Sequence, residues 1–335
     1  MSDLPGQHIE SRTAIHYDHV TKTYPNGNRS AVTDLSLVVA KGDFVVLLGP
    51  SGCGKTTLLK MTNRLIEPTS GSISIDGVDI HSLPAAQLRR RIGYVIQQTG
   101  LFPHMRVEDN IAVVPKLLKW DKKRTDARID ELLVLVGLPP EDYRRRYPAQ
   151  LSGGEQQRVG LARALAVGPD TMLMDEPFGA LDAITRTRLQ MELRRIHEQL
   201  GQTIIFVTHD IDEAVRLADQ IVIMREGGIV QAGDPLEIVT NPADAFVSDL
   251  VGSSDALRRL SLIESGAVAT ALRPGTLPPS ESIAAAIDVR TAFGRMLGSG
   301  ISAIGVIGAD GELLGTLDLD TVREIARTHP VEAPV

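Results

Sequence analysis

At 335 residues the chain is long enough for one large domain plus a smaller one, rather than a single compact unit. Its 43% hydrophobic residues are ordinary for a folded protein, and 35 Lys and Arg against 42 Asp and Glu leave a formal charge of -7, so no global electrostatic pull toward nucleic acid is expected. The single Cys excludes an internal disulfide and points to a reducing setting, the start MSDLPGQHIE has no secretory pattern, and apolar runs such as FVVLL and IIFV fall far short of the roughly 20 residues of a membrane helix.

The first feature with chemistry in it is Tyr24, in TKTYPNG, which precedes the strand and turn leading into a glycine-rich loop. An aromatic there can stack on a nucleotide base or pack as an ordinary turn residue on the core. DFVVLLG (43–49) reads as a covered strand, and it runs into GPSGCGKTT, which fills every fixed position of G-x-x-x-x-G-K-T. Gly49, Pro50, Ser51, Gly52, Cys53, Gly54, Lys55, Thr56 and Thr57 therefore form a phosphate loop. Its glycines let backbone amides curl around phosphates, Lys55 reaches the outer two, and Thr56 offers a hydroxyl to Mg²⁺. Cys53 takes a variable position and reads as small filler. The next stretch, TTLLKMTNRL, is helical in pattern.

ISIDG (73–77) and RIGYVIQ (91–97) are further strands. Gln97 lies where the second leaves the sheet, and its amide is suited to ligating magnesium weakly while moving with the helical insert that it enters. That insert spans about 105 to 165, in VEDNIAVVPKLLKW, RTDARIDELLVLVG and EQQRVGLARALAVG. The arginine triplet 144–146 at its base reads as a solvated basic surface. Within the insert, LSGGEQQRV holds a capping box, Ser152 with Glu155, and Gly153 and Gly154 leave first-turn amides uncovered. Such a helix start is an anion site.

TMLMDEP (171–177) supplies a carboxylate at the tip of a buried strand, Asp175, placed to hold a metal ion. Glu176 beside it is free to accept a proton from water. TIIFVTH (203–209) ends in His209, whose strand should run next to that of Asp175, so the ring can hold Glu176, water or phosphate in register. The helix after it has an Asp210 cap with Glu213 three residues on. Beyond about 245 comes a link and then a helix, strand, turn at Asp310-Gly311, strand and helix, a small α/β module with no catalytic set.

Together GPSGCGKTT, Gln97, LSGGEQQRV, TMLMDEP, GALD (179–182) and His209 resemble the ATP-binding subunit of an ABC transporter over residues of about 15 to 245. The resemblance implies an α/β P-loop NTPase core with a helical subdomain. It makes 49–57 the Walker A loop, Asp175 the Walker B aspartate, Glu176 the catalytic base, Gln97 the Q-loop residue and His209 the switch histidine. Asp182 ends the D-loop, and ATP with Mg²⁺ is the cofactor pair. Two chains would pair head to tail, each bringing Ser152 and its glycine amides to the γ-phosphate held by the other. The implied partners are a transmembrane permease and a periplasmic or membrane-anchored solute-binding protein, with the chain peripheral at the cytoplasmic face.

LLKMTNRLIEPTSG, RRRIGYVIQQTGLFPHM and VPKLLKW are similar to importers of quaternary-ammonium osmoprotectants such as glycine betaine, carnitine, choline or proline betaine. Import of another small solute, an amino acid or polyamine, is the alternative. A soluble mechanical ATPase acting on DNA or ribosomes fits less well, since only 120 residues separate Lys55 from Asp175 and no heptad arm lies between them. The expected division is an ATP-binding domain over 1–245, a linker over 246–265 and a module over 266–335 that resembles a single CBS unit. Nucleotide-binding CBS units carry a glycine, a hydroxyl three residues on and Asp after three more; here the series is Gly315, Asp318, Thr321.

Overall fold

Every residue of FVVLL, Phe44–Leu48 (β3), is buried, and the same holds for Thr171–Asp175 (β7) and Thr203–Thr208 (β8). Runs with no polar alternation need cover on both faces, which a parallel sheet between helical layers supplies. The computed structural model describes residues 13–25, 29–97, 100–179, 181–252, 256–271 and 279–327. Its first unit, Met1–Ala232, places these strands beside Ile92–Val95 (β6), Gln220–Arg225 (β9) and Gly228–Gly233 (β10). The sheet order is β10-β9-β3-β8-β7-β6, and the five strands from β9 to β6 are parallel. Leu48 pairs with Thr208 and Asp175 with Val207, so the segments at Gly49, Glu176 and His209 leave one edge of the sheet. That carboxyl edge is where α/β sheets take ligands.

A second, antiparallel sheet is built from Thr13–Lys22 (β1), Val32–Ala40 (β2), Ser70–Ile75 (β4) and Val78–Asp79 (β5), in the order β2-β1-β4-β5. The helix Lys55–Thr62 (α1) joins the two sheets into one core: Leu58, Leu59 and Met61 are buried in a cluster with Ile15, Leu37 and Ile73 on one side and Val45, Leu47 and Ile205 on the other. The Tyr17 hydroxyl, buried here, meets Thr62 Oγ1 at 2.7 Å. ISIDG is thus a strand of the antiparallel sheet, and β1, β2, β5, β9 and β10 are additions to the sequence reading. In β1, register shifts at Thr13/Ile15, Tyr17/Val20 and Val20/Lys22 break the alternation that marks a strand in sequence.

Ala85–Arg89 (α2) precedes the helical insert, which contains Val107–Ile111 (α3), Val113–Leu117 (α4), Lys122–Leu135 (α5), Pro140–Tyr143 (α6) and Gly153–Ala164 (α7). After the insert, Ala183–Leu200 (α8) connects β7 to β8 and Ile211–Leu217 (α9) connects β8 to β9. Pro115 falls in the first turn of α4, where its missing N–H removes no helical bond. The expectation of a solvated surface fails at Arg144. Its guanidinium meets Glu108 at 2.7 Å, Asp130 at 2.8 Å and Asp126, tying α3 to α5. Arg146 lies over the Tyr143 ring, 4.4 Å from its centroid, and of the triplet only Arg145 is exposed. A lone Arg in sequence does not reveal three carboxylates lying 14 to 36 residues away. Arg144→Met should destabilise the first unit by about 2 kcal/mol, read as a lower urea midpoint of its unfolding transition, because three part-buried carboxylates lose their shared cation.

The second unit starts at Gly233, ahead of the expected 245. Helices Pro235–Thr240 (α10) and Ala245–Val251 (α11) pack on each other, and α10 also packs on Ala256–Leu260 (α12). The expected linker is therefore partly helical. The rest of the unit is Ser265–Val268 (α13), Ser282–Ala284 (β11), Val289–Ser299 (α14), Ala303–Ile307 (β12), Leu313–Asp318 (β13) and Leu319–Arg327 (α15). The order helix, strand, strand, helix is as read, with Gly311 in the turn, and β11 adds a parallel partner to β12. Ile283, Val289, Met296, Ile304, Val306 and Leu317 form this unit's own core. Most of the Pro/Gly-rich loop lies at 272–278, outside the described residues.

Candidate active site

The phosphate loop needs its glycines for packing as well as for ligand approach. Gly49 has φ 152° and a Cβ on it would come within 2.3 Å of the Met224 carbonyl oxygen; Gly54 has φ 109° and would meet that of Ala31 at 2.3 Å. No side chain caps α1, so its first amides face the loop without a side-chain competitor. Lys55 Nζ donates to the carbonyls of Gly49 at 2.6 Å and Pro50 at 3.0 Å, which keeps the loop curled around its ammonium. Cys53 is buried, as a small filler would be, with Sγ 3.7 Å from Lys55 Nζ. Tyr24 is exposed, contrary to a core-packing role, and Lys22 Nζ lies 5.3 Å from its ring centroid. Its segment is tied to the loop through Ala31, whose N–H donates to Lys22 O at 2.7 Å and whose carbonyl abuts Gly54.

At the tip of β7, Thr56 Oγ1 donates to Asp175 Oδ1 at 2.9 Å. Burial raises the Asp175 carboxyl above its ordinary range, against the lowering effect of the Thr56 hydrogen bond. The folded state therefore holds that proton more tightly than the unfolded state does. Stability is lost as pH rises through the raised value, so ionising this carboxyl is a penalty in the ligand-free chain. Asp175→Asn should raise the thermal midpoint without nucleotide and remove most of the upward shift produced by ATP with Mg²⁺, both measurable by differential scanning fluorimetry.

Glu176 takes φ 44°, a left-handed conformation that is costly for a residue with a side chain, and its N–H donates to Val207 O at 3.0 Å. This turn aims the carboxylate at two groups that follow the ends of β6 and β8. Gln97 Nε2 donates to Oε2 at 3.1 Å, and His209 Nδ1 lies 3.4 Å from Oε1. The three residues read as catalytic from the sequence are thus in one place. Gln97 commits its amide nitrogen to Glu176. Thr56 and Asp175 offer hard oxygens, and among the described residues no three His, Cys, Asp or Glu side chains are grouped so that they could hold a metal ion. That donor set suits an ion held by few protein ligands together with phosphate and water.

The start of α7 is a complete capping box: Ser152 N–H donates to Glu155 Oε2 at 2.7 Å and Glu155 N–H to Ser152 Oγ at 3.3 Å. Tyr143 OH donates to Glu155 Oε1 at 2.5 Å, and with the Ser152 amide it holds Glu155 below the usual carboxylate range. Glu155 is occupied in holding the helix start, and Ser152 and Gly153 are exposed. Gly154 has a further reason to be glycine, since a Cβ there would lie 2.8 Å from Thr185 Cγ2. Thr185 belongs to α8, whose cap Asp182 accepts from Thr185 N–H at 3.0 Å. Ala180 of GALD is outside the described residues.

One expected pairing is corrected. Asp210 caps α9 as read, accepting from the N–H groups of Asp212 and Glu213, but Glu213 does not close a box. It turns inward, accepting from Thr208 Oγ1 at 2.6 Å and from Gln190 Nε2 at 3.0 Å. The sequence reading missed Arg186, Gln190 and Glu213 as neighbours of the site. The only local signal, an acid three residues after a cap, points to the wrong partner.

A family model described as "ABC transporter" matches residues 32–179. The carnitine transport ATP-binding protein OpuCA of Listeria monocytogenes (serotype 1/2a, strain 10403S) is 52% identical over 275 residues, 82% of this chain and 69% of that protein. The chain belongs to the ABC transporter family. As an ATP-binding member of it, the chain binds and hydrolyses ATP. The glycine betaine uptake system ATP-binding protein YehX of Escherichia coli K12 is 50% identical over 303 residues, 90% of this chain and 97% of that one. Among solved structures, a dimeric post-hydrolysis state of the ATP-binding cassette MJ0796 bound to ADP and Pi is 34% identical with a TM-score of 0.59, covering 66% of this chain and 98% of that one. No helix among the described residues is long and apolar enough to cross a membrane.

Proposed function

We propose that this chain is the ATP-hydrolysing subunit of an importer for a quaternary-ammonium compatible solute: glycine betaine, carnitine, choline or proline betaine. Relatives at about half identity named for carnitine and glycine betaine uptake support the solute class. The observation that carries the chemistry is the convergence of Gln97 and His209 on Glu176, beside the Thr56–Asp175 pair.

In this reading the adenine stacks on Tyr24, the phosphates lie in the loop 49–57, and Lys55 turns from the loop carbonyls to the outer phosphates. Thr56, Asp175 and Gln97 would hold Mg²⁺, which when bound neutralises phosphate charge. Glu176 accepts the proton of the attacking water, oriented by its bond from Gln97, and His209 holds water or phosphate in line. Two chains pair head to tail, so that the α7 start of each, with Ser152 and its glycine amides, meets the γ-phosphate on the other. The MJ0796 cassette, solved as a dimer, supports pairing of two chains.

Closure of the pair drives a transmembrane permease that receives solute from a periplasmic or membrane-anchored binding protein, and the chain sits at the cytoplasmic face. The permease contact is the groove beside Gln97 and the segment LFPHMRVEDN, where Ile96 and Phe102 are exposed. The module over 266–335, within the second unit, is read as regulatory and resembling a single CBS unit, with its mate on the other chain. Asp318 accepts from Thr321 N–H at 2.8 Å, so these two positions serve as a helix cap and not as a nucleotide's hydroxyl and carboxylate partners.

Purification of the chain with its bound membrane and solute-binding proteins, followed by ATPase assays in vesicles, tests the reading. Stimulation by glycine betaine, carnitine or choline is expected. Stimulation by amino acids or polyamines alone would replace the solute class.

A further inference from the structure

The side chains of Arg186, Asp210 and Glu213 connect the turn carrying His209 to the Leu181 carbonyl. Thr208 and Asp210 flank His209, and both are held. The Thr208 hydroxyl donates to Glu213 Oε2 at 2.6 Å and accepts from Asp210 N–H at 3.0 Å. Arg186, one turn into α8, stands between this turn and Leu181. One of its terminal nitrogens donates to the Leu181 carbonyl at 3.1 Å, and the other lies 3.5 Å from Asp210 Oδ2. Its Nε is buried and faces Glu213 Oε1 at 3.9 Å, just beyond hydrogen-bond range. Gln190, a turn further along α8, donates to the same Glu213 oxygen at 3.0 Å and accepts from Arg216 at 3.2 Å.

We propose that Arg186 is a positioning residue: it links the carbonyl of Leu181 to the acids at 210 and 213, so that the placement of Leu181 sets the placement of the His209 ring on Glu176. The inference rests on the catalytic reading of Glu176 and His209. Its physical basis is charge and reach. Asp210 and Glu213 repel each other, and burial already raises the Glu213 carboxyl. The guanidinium is the cation between them, and it is also the group bonded to Leu181. A shift of Leu181 pulls on that fork, which loosens or tightens the grip on the turn at 208–210. His209 is itself exposed, with Nδ1 3.4 Å from Glu176 Oε1, so its ring has room to follow such a shift.

A double-mutant cycle on the full chain tests this, using Arg186→Gln, His209→Ala and the two combined. The readouts are kcat, KM for ATP, affinity for a fluorescent ATP analogue and thermal midpoint. Arg186→Gln should lower kcat by about tenfold while KM and analogue affinity stay within about twofold. In the His209→Ala background the same substitution should cost nothing more, and Arg186→Lys should recover part of the loss. Multiplying effects of the two substitutions, or an unchanged kcat in Arg186→Gln, would overturn the relay alone. If His209→Ala itself kept the parent kcat, the relay and the reading of His209 would fall together. Should Arg186→Gln not fold, Glu213→Gln takes its place in the cycle with the same expected non-additivity.

Discussion

Glu176→Gln should lower ATP turnover by about a thousandfold while leaving ATP affinity unchanged. The substitution keeps the side chain's length and its capacity to accept from Gln97 Nε2, 3.1 Å away, but removes the basic oxygen facing His209. Binding rests on other groups: the loop amides, Lys55 and the Thr56–Asp175 pair. If two chains pair on ATP as proposed, blocking hydrolysis while binding stays intact should keep that pair closed. Size-exclusion chromatography should therefore show a dimer that persists with ATP and dissociates when nucleotide is removed. Turnover at the parent rate would reassign the base.

Ser152→Arg tests whether the active site is shared between chains. The change removes the hydroxyl that accepts from Glu155 N–H and places a cation at the positive end of α7, where an anion is expected. The isolated chain should bind ATP as before, because none of the loop groups is altered. Dimer closure and hydrolysis should fall by at least about a hundredfold, the scale of losing a preorganised donor to a charged transition state. Mixing sharpens the test. A Ser152→Arg chain paired with a Lys55→Ala chain contains one intact composite site, so activity should reappear in the mixture although each variant alone is inactive. No recovery on mixing, or a fully active Ser152→Arg chain, would return the α7 start to a purely local role.

The parts of the site that could be read along the chain are those whose geometry is local. The phosphate loop is a spacing of glycines, Lys55 and Thr56 within one short segment, and it lies as expected between a buried strand and a helix. The Ser152–Glu155 box closes within one helical turn. The three uninterrupted apolar strands could be assigned to a covered parallel sheet because nothing else accommodates them.

Convergence was harder to read. Gln97 and Glu176 are 79 residues apart, and only the pairing of β6 with β7 and of β7 with β8 brings the amide and imidazole onto one carboxylate. Where a side chain's partner lies far along the chain, local pattern misled: Arg144 read as surface and holds three carboxylates, and Glu213 read as the partner of the Asp210 cap but turns inward to Gln190, 23 residues away. Gly154 read as an exposed amide, whereas packing against Thr185 also demands it.

The sequence by itself determined which groups this protein brings to a nucleotide, because loops, caps and strand tips are set by steric and hydrogen-bonding rules acting over a few residues. Tertiary structure alone decided which of those groups meet. Register between parallel strands and the packing of α8 against α7 and α9 arise from contacts whose partners are dozens of residues apart, and no local pattern encodes them.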